Sequence, residues 1–173
     1  MFYLLILVLI IIVVIIIRNK NRFISQTPWQ HFFDGAQFST QEFYKNVEEG
    51  IKKRNIPGIS FDRESFSETH ILSTRREYLR ITRGEYVFFV SMTPFGSGSF
   101  ASYWMCVKPE GILNTIPFAN KLIGKDRSDK TFYQMDSEQM YKSVIHTAVL
   151  DELDSITKAQ GIRGLTESEK EIK

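Results

Sequence analysis

The hydrophobic pattern of the chain opens on an unbroken apolar run, Phe2 to Ile17, FYLLILVLIIIVVIII. As a helix these residues reach about 24 Å. Met1 and a snorkelling Arg18 extend that length towards the roughly 30 Å of a hydrocarbon core. A cleaved secretory signal would carry basic residues before the apolar stretch and a small-residue cleavage site after it. Here RNKNR follows instead, placing Arg18, Lys20 and Arg22 on the C-terminal flank, with no basic side chain before the run. The pattern predicts a single transmembrane helix in the cell membrane, and the positive-inside tendency puts the rest of the chain in the cytoplasm. The alternative, a buried core helix or strand pair, is disfavoured because soluble cores seldom need 16 apolar residues all round the helix. The run lacks Gly, Ala and Ser, so it offers no small-residue dimerisation face.

Residues 23–38, FISQTPWQHFFDGAQF, are aromatic-rich and have no clean period. They read as a juxtamembrane connector, with Trp29, Phe32 and Phe33 either at the membrane interface or packed on the domain. A domain is then expected over residues 39–161. Ser39-Thr40-Gln41-Glu42 has capping-box form, and Phe43, Val47 and Ile51 fall on one helical face, which predicts a helix from 40 to 54. Asn55-Ile56-Pro57-Gly58 ends it.

The middle of the chain alternates as strands do. Ile59 and Phe61 alternate with Ser60 and Asp62, and an extended pattern resumes at Thr69 to Ser73. Leu79 and Ile81 share one face of the next run, Arg76, Tyr78 and Arg80 the other, and Arg83-Gly84 supplies a tight turn. In Glu85 to Met92 both faces are apolar, so that strand should be central and covered on both sides. Phe100 to Val107 behaves alike. The intervening TPFGSGS lies between two strand-like runs, whereas a phosphate cradle needs a helix N-terminus directly after it. A hairpin turn with Gly96 or Gly98 at positive φ is the favoured reading. Beyond Lys108 the signal weakens. Ile112 to Ile123 reads as a short helix interrupted near Pro117, a loop or an interfacial segment; GKDRSDK reads as a charged turn and Lys130 to Met135 as one more strand. From a cap at Asp136 to Gln139, the residues Tyr141, Ile145, Ala148, Val149 and Ile156 form a helical stripe as far as Gln160, with Gly161 as its stop. Residues 162–173 read as a polar tail that frays.

Composition narrows the function classes. After the first 22 residues about 150 remain, the size of one ordinary domain. The whole chain holds 22 basic and 20 acidic side chains. Without Arg18, Lys20 and Arg22 the balance is 19 to 20, a net charge of −1, so the basic face of a nucleic-acid binder is not expected. The three flanking cations suit topology and anionic lipid. One cysteine, Cys106, permits no internal disulfide. Cys106 with His70 or His146 would be a nucleophile and base, but no local signature accompanies them and an apolar strand suits an inert thiol. His31 and Asp34 lack further ligand spacing, so no metal and no cofactor is expected. Arg75, Arg76, Arg80 and Arg83 form the basic cluster of the domain. Arg76 and Arg80 share a strand face, either paired with Glu77 and Glu85 or contacting lipid headgroups or an acidic partner.

The stretch REYLRITRGEYVFFVSMTPFGSGSFASYW, Arg76 to Trp104, resembles a motif of small bacterial proteins of uncharacterised function, in which a REYLR-like strand, an apolar strand and a PFGxGxFxSxW turn recur together. The resemblance covers about one sixth of the chain. It implies an α+β domain and a bacterial origin, and no activity or catalytic residue.

The expected architecture is a transmembrane anchor followed by an α+β domain, with an antiparallel sheet of four or five strands packed by two main helices. The expected function is a membrane-tethered binding or scaffold module whose partners are the bilayer and a membrane or cytoplasmic protein. The alternative is a membrane-associated enzyme or small-ligand binder with a pocket at Gly96 to Trp104. The candidate binding residues of the chain are Arg76, Arg80, Gly96, Gly98 and Trp104.

Overall fold

The computed structural model describes residues 24–66, 75–108 and 131–172. The apolar run Phe2–Ile17, its flank Arg18, Lys20 and Arg22, the Thr69–Ser73 pattern, His70 and the segments 112–130 lie outside these residues. Among the described residues, no helix is long and apolar enough to cross a membrane.

The domain is α+β. In chain order it comprises β1 (Ile24–Phe33), α1 (Thr40–Lys52), β2 (Ile59–Phe66), β3 (Arg76–Arg83), β4 (Tyr86–Phe95), β5 (Gly98–Val107), α2 (Phe132–Ala159) and a short α3 (Glu167–Lys170). The five strands form one sheet in the order β1-β5-β4-β3-β2, every neighbouring pair antiparallel. β2 to β5 are a meander, and the Arg76–Trp104 stretch supplies its three consecutive strands. β1 and β2 occupy opposite edges and run parallel, so α1 must carry the chain across the full width of the sheet. Parallel strands need such a crossover.

β4 sits in the middle because its sequence leaves it nowhere else to go. All seven residues from Tyr86 to Met92 are buried, and an edge position would expose one flank of the strand. On one face Tyr86, Phe88, Val90 and Met92 join Leu79 and Ile81 of β3 and Ala101, Tyr103, Met105 and Val107 of β5. The two long helices cover this face with Phe43, Tyr44, Val47 and Ile51 of α1 and Tyr141, Ile145, Ala148, Val149 and Leu153 of α2. On the other face Val87, Phe89 and Cys106 make a second small cluster bordered by Tyr78, with no helical residue in it.

Side-chain hydroxyls tie the helices to the strands. Thr40 Oγ1 donates to the Met92 carbonyl at 2.9 Å, and Tyr44 Oη donates to the Glu77 carbonyl at 2.7 Å. Ser39 caps α1 by accepting from the Glu42 amide.

Three expectations need correction. Residues 24–33 are not a connector but an edge strand, so the domain begins before residue 39. Trp29 and Phe33 face the core, whereas Phe32 turns to the opposite face and is exposed. Pro28 and a register break between Ser25 and Thr27 interrupt the period that would have marked the strand; proline is tolerated at an edge because its missing N–H can face away from the sheet. Over the described part of the expected strand Lys130 to Met135, residues 132–135 are helical. Thr131 and Gln134 form a reciprocal capping box that starts α2 there, ahead of the expected cap at Asp136. The C-terminal tail does not fray either. Leu165 is buried, Trp29 Nε1 donates to the Glu169 carbonyl at 2.9 Å, and Lys170 pairs with Asp154 at 3.1 Å.

The β4–β5 hairpin turns on two residues, Gly96 and Ser97, with Phe95 paired to Gly98. Gly96 has φ +60° and open space around its α-carbon. Gly98 is needed for a different reason: a β-carbon there would overlap the Phe33 carbonyl oxygen and lie 2.7 Å from Phe32 Cζ. Gly96→Ala should therefore cost only the left-handed strain, about 1–2 kcal/mol. Gly98→Ala should cost more, about 3 kcal/mol, because β1 must be pushed off β5. Thermal melts decide the order, and a wild-type melting temperature for Gly98→Ala would contradict it.

Candidate functional site

The face of the sheet opposite the two long helices gathers most of the residues that sequence reasoning singled out. Strand alternation places Phe32 of β1, Phe100, Trp104 and Cys106 of β5, Val87, Phe89 and Phe95 of β4, Tyr78 and Arg80 of β3, and Asp62, Glu64 and Phe66 of β2 on it. Trp104 lies directly across from Phe89, and Phe89 across from Arg80. Phe66, Tyr78 and Phe89 pack edge to face, with ring centroids 5.3–6.4 Å apart. Phe32 and Phe95 form a second edge-to-face pair at 6.4 Å near the Gly96 turn. Trp104, Phe66 and Phe32 remain 37–41% exposed and Phe95 68%, so four large aromatic rings reach solvent from one sheet face. Such patches mark interaction surfaces more often than isolated apolar residues do.

Arg80 is ion-paired, but not with the carboxylates expected. Its guanidinium bonds Asp62 at 2.8 Å and Glu64 at 2.7 Å, both on the neighbouring strand, rather than Glu77 and Glu85. The hydrogen bond to Asp62, with the charges of both carboxylates and the bond to Glu64, outweighs partial burial and holds its proton more firmly than usual. Glu77 is bonded by Gln41 instead. Arg76 is exposed on the same strand face. The pair therefore does not present two unpaired charges, and a ligand anion at Arg80 would have to displace two carboxylates.

The hairpin at Gly96 leads into β5, not into a helix, and the space beside Gly98 is filled by the backbone and ring of β1. The geometry that a phosphate cradle requires is not assembled there. Cys106 and His146 do not meet either. Cys106 is on the aromatic face, buried, and desolvation pushes its thiol up to about 11, so it carries its proton at neutral pH. His146 lies on the helix-covered face, where Nδ1 is 3.0 Å from Tyr103 Oη and burial lowers its pKa. Trp29 stacks on Tyr103 at 6.0 Å, completing a cluster that fastens the C-terminal segment to the sheet edge. His31 packs edge to face on Phe33 while Asp34 accepts from Ser97 Oγ, so the two point to separate tasks.

Sequence reasoning missed one polar seam. Between α1 and α2 a shallow cavity of about 210 Å³ is lined by Asn46, Glu49, Lys53, Arg54, Asp151 and Glu152. Asn46 Nδ2 donates to Glu152 at 2.9 Å and Arg54 pairs with Asp151 at 2.7 Å. Burial raises the Glu152 pKa. These contacts join the two helices, and the i, i+4 helix spacing alone could not have revealed a pairing across 97 and 106 residues of chain.

No family model, curated protein or solved structure matches this chain.

Arg80→Gln should unpair Asp62 and Glu64 on an edge strand and lower stability by about 1 kcal/mol, the upper range for a partly exposed ion pair. The loss should shrink at high salt. Arg76→Gln should leave stability within about 0.5 kcal/mol of wild type. Denaturant titrations at two salt concentrations measure both, and equal, salt-independent effects for the two variants would contradict the assignment.

Proposed function

We propose that this protein is a single-pass membrane-tethered binding or scaffold module, anchored by residues 2–17 with its α+β domain in the cytoplasm. The observation that carries the binding role is the sheet face bearing Phe32, Phe66, Phe95 and Trp104, which reach solvent where neither long helix packs. A hydrophobic sheet face exposes aromatic area on rigid strands, and aromatic anchors on a rigid support are what protein interfaces draw most of their affinity from. The Arg80–Asp62–Glu64 group at its border provides a polar rim with both signs of charge. The near-neutral balance of the chain beyond the anchor favours a protein partner over a nucleic acid. The tether is supported by the apolar run and by its three flanking cations.

A photocrosslinking residue at Trp104 or Phe95 in native membranes should form a discrete adduct with a protein. The same probe at Lys45, on the solvent side of α1, should not. Trp104→Glu should abolish the adduct formed from Phe95 while changing the melting temperature little, because Trp104 is partly exposed. The full chain should stay with membranes through alkaline carbonate extraction. Release by carbonate would overturn the tether, and equal adducts from Trp104 and Lys45 would overturn the binding face.

A further inference from the structure

One end of the sheet combines the entry of the chain with an unusual apolar surface. Ile24, the first residue of β1, pairs with Val107, and Val107 pairs with Tyr86. The three form a row about 10 Å wide at the usual strand spacing. Tyr86 in turn fixes the beginning of α2: its hydroxyl donates to the Gln134 carbonyl at 3.3 Å and its ring lies 6.3 Å from that of Tyr141. The first turns of α2 therefore stand beside the point where the N-terminal segment joins the domain.

Those turns also carry apolar side chains outside the arc that faces the core. Tyr141, Ile145 and Ala148 face the core; at the 100° helical step Phe132 lies opposite Tyr141 and Tyr133 and Met140 lie on one flank, about 80–100° round from it, and the three are 84%, 78% and 63% exposed. Polar side chains would be expected at such positions. Seven residue steps separate Ile17 from Ile24, at most about 25 Å of extended chain. Arg18, Lys20 and Arg22 lie within those steps, so a chain anchored by residues 2–17 holds this end of the domain next to the headgroups. The Gly96 turn lies at the other end of the strands, a strand length of about 30 Å away.

We propose that Phe132, Tyr133 and Met140 form a second membrane contact, inserting at the headgroup level of the same bilayer that residues 2–17 span. The inference rests on the tether reading and adds an orientation to it: the domain stands with the Ile24 end down and its strands directed away from the bilayer. Phenylalanine and tyrosine at the boundary between headgroups and acyl chains are favoured in such a place. The charges around Tyr86, which include Arg83, Glu85 and Glu138, are mixed in sign, and the exposed charge between Phe132 and Met140 on the helix is the acidic Asp136, so no basic cluster on these turns draws the contact to anionic lipid and it rests on the apolar side chains.

The test uses the full chain with Cys106→Ala, reconstituted in vesicles of phosphatidylcholine and phosphatidylglycerol, and a nitroxide on a single cysteine at Ile10, Tyr133 or Ser97. Collisions with oxygen, which partitions into lipid, are compared with collisions with a water-soluble nickel chelate. Oxygen should dominate at Ile10 and Tyr133, nickel at Ser97, and the Tyr133 value should not change with salt. Phe132 replaces Tyr133 as the labelled position if that variant reconstitutes poorly, with the same expectation. Oxygen dominating at Ile10 but nickel at Tyr133 would overturn the second contact and leave the tether standing. Nickel dominating at Ile10 would overturn the tether and this inference with it. A Tyr133 label shielded from both reagents would mean that protein, such as a second copy of the chain, covers the patch, and would also overturn it.

Discussion

The fold is organised by the need to bury β4 on both faces. Its seven buried residues, Tyr86 to Met92, put large apolar side chains alternately above and below the sheet, so both faces must be kept from water at the centre. The hydrogen-bonding edges of the strand must be satisfied too, since an unpaired buried N–H or C=O costs about 1–3 kcal/mol. β3 and β5 meet that requirement on either side, each through a two-residue turn. The arrangement leaves two edges to be closed, and β1 and β2 close them. The crossover α1 then follows, because it is the segment joining strands that must lie on opposite sides of β4.

The legible parts of the sequence were those with one dominant local cause. Ser39 and Glu42 marked the start of α1, and the two-sided apolar pattern marked β4 as central. Leu79 and Ile81 against Tyr78 and Arg80 fixed which way β3 faces. β1 escaped because three local signals conflicted: Pro28 argued against a strand, a register break near Ser25 disturbed the alternation, and Phe32 put an aromatic on the outward face beside inward Phe33. The start of α2 escaped for a related reason. Phe132 and Tyr133 favour strands by propensity, but the reciprocal cap between Thr131 and Gln134 starts the helix ahead of them.

The candidate residues divide by the range of the interactions that decide them. Gly96 was readable because a two-residue turn demands positive φ locally. Gly98 has its role through β1, a strand 65 residues earlier by its contact at Phe33, and no local pattern could announce that. The partners of Arg80 were misassigned for the same reason: Glu77 and Glu85 are near in sequence, whereas Asp62 and Glu64 sit on β2. The aromatic face became visible only when four strands were aligned and Phe66, Phe89, Trp104 and Phe32 fell on the same side. The result is a domain whose surfaces divide the work. One sheet face is occupied by helices, the other carries exposed rings suited to a partner, and the Ile24 end meets the membrane in the reading proposed for it.

Native-state hydrogen exchange on the full chain tests the organising role of β4 most directly. Amides of β4 and β5 hydrogen-bonded on both sides should exchange only through global unfolding, with the same denaturant dependence as one another. Amides of the edge strands β1 and β2 should exchange through smaller openings and lose protection first. Exchange from β4 at or before the rate of β2, under conditions where the helices stay protected, would contradict the account.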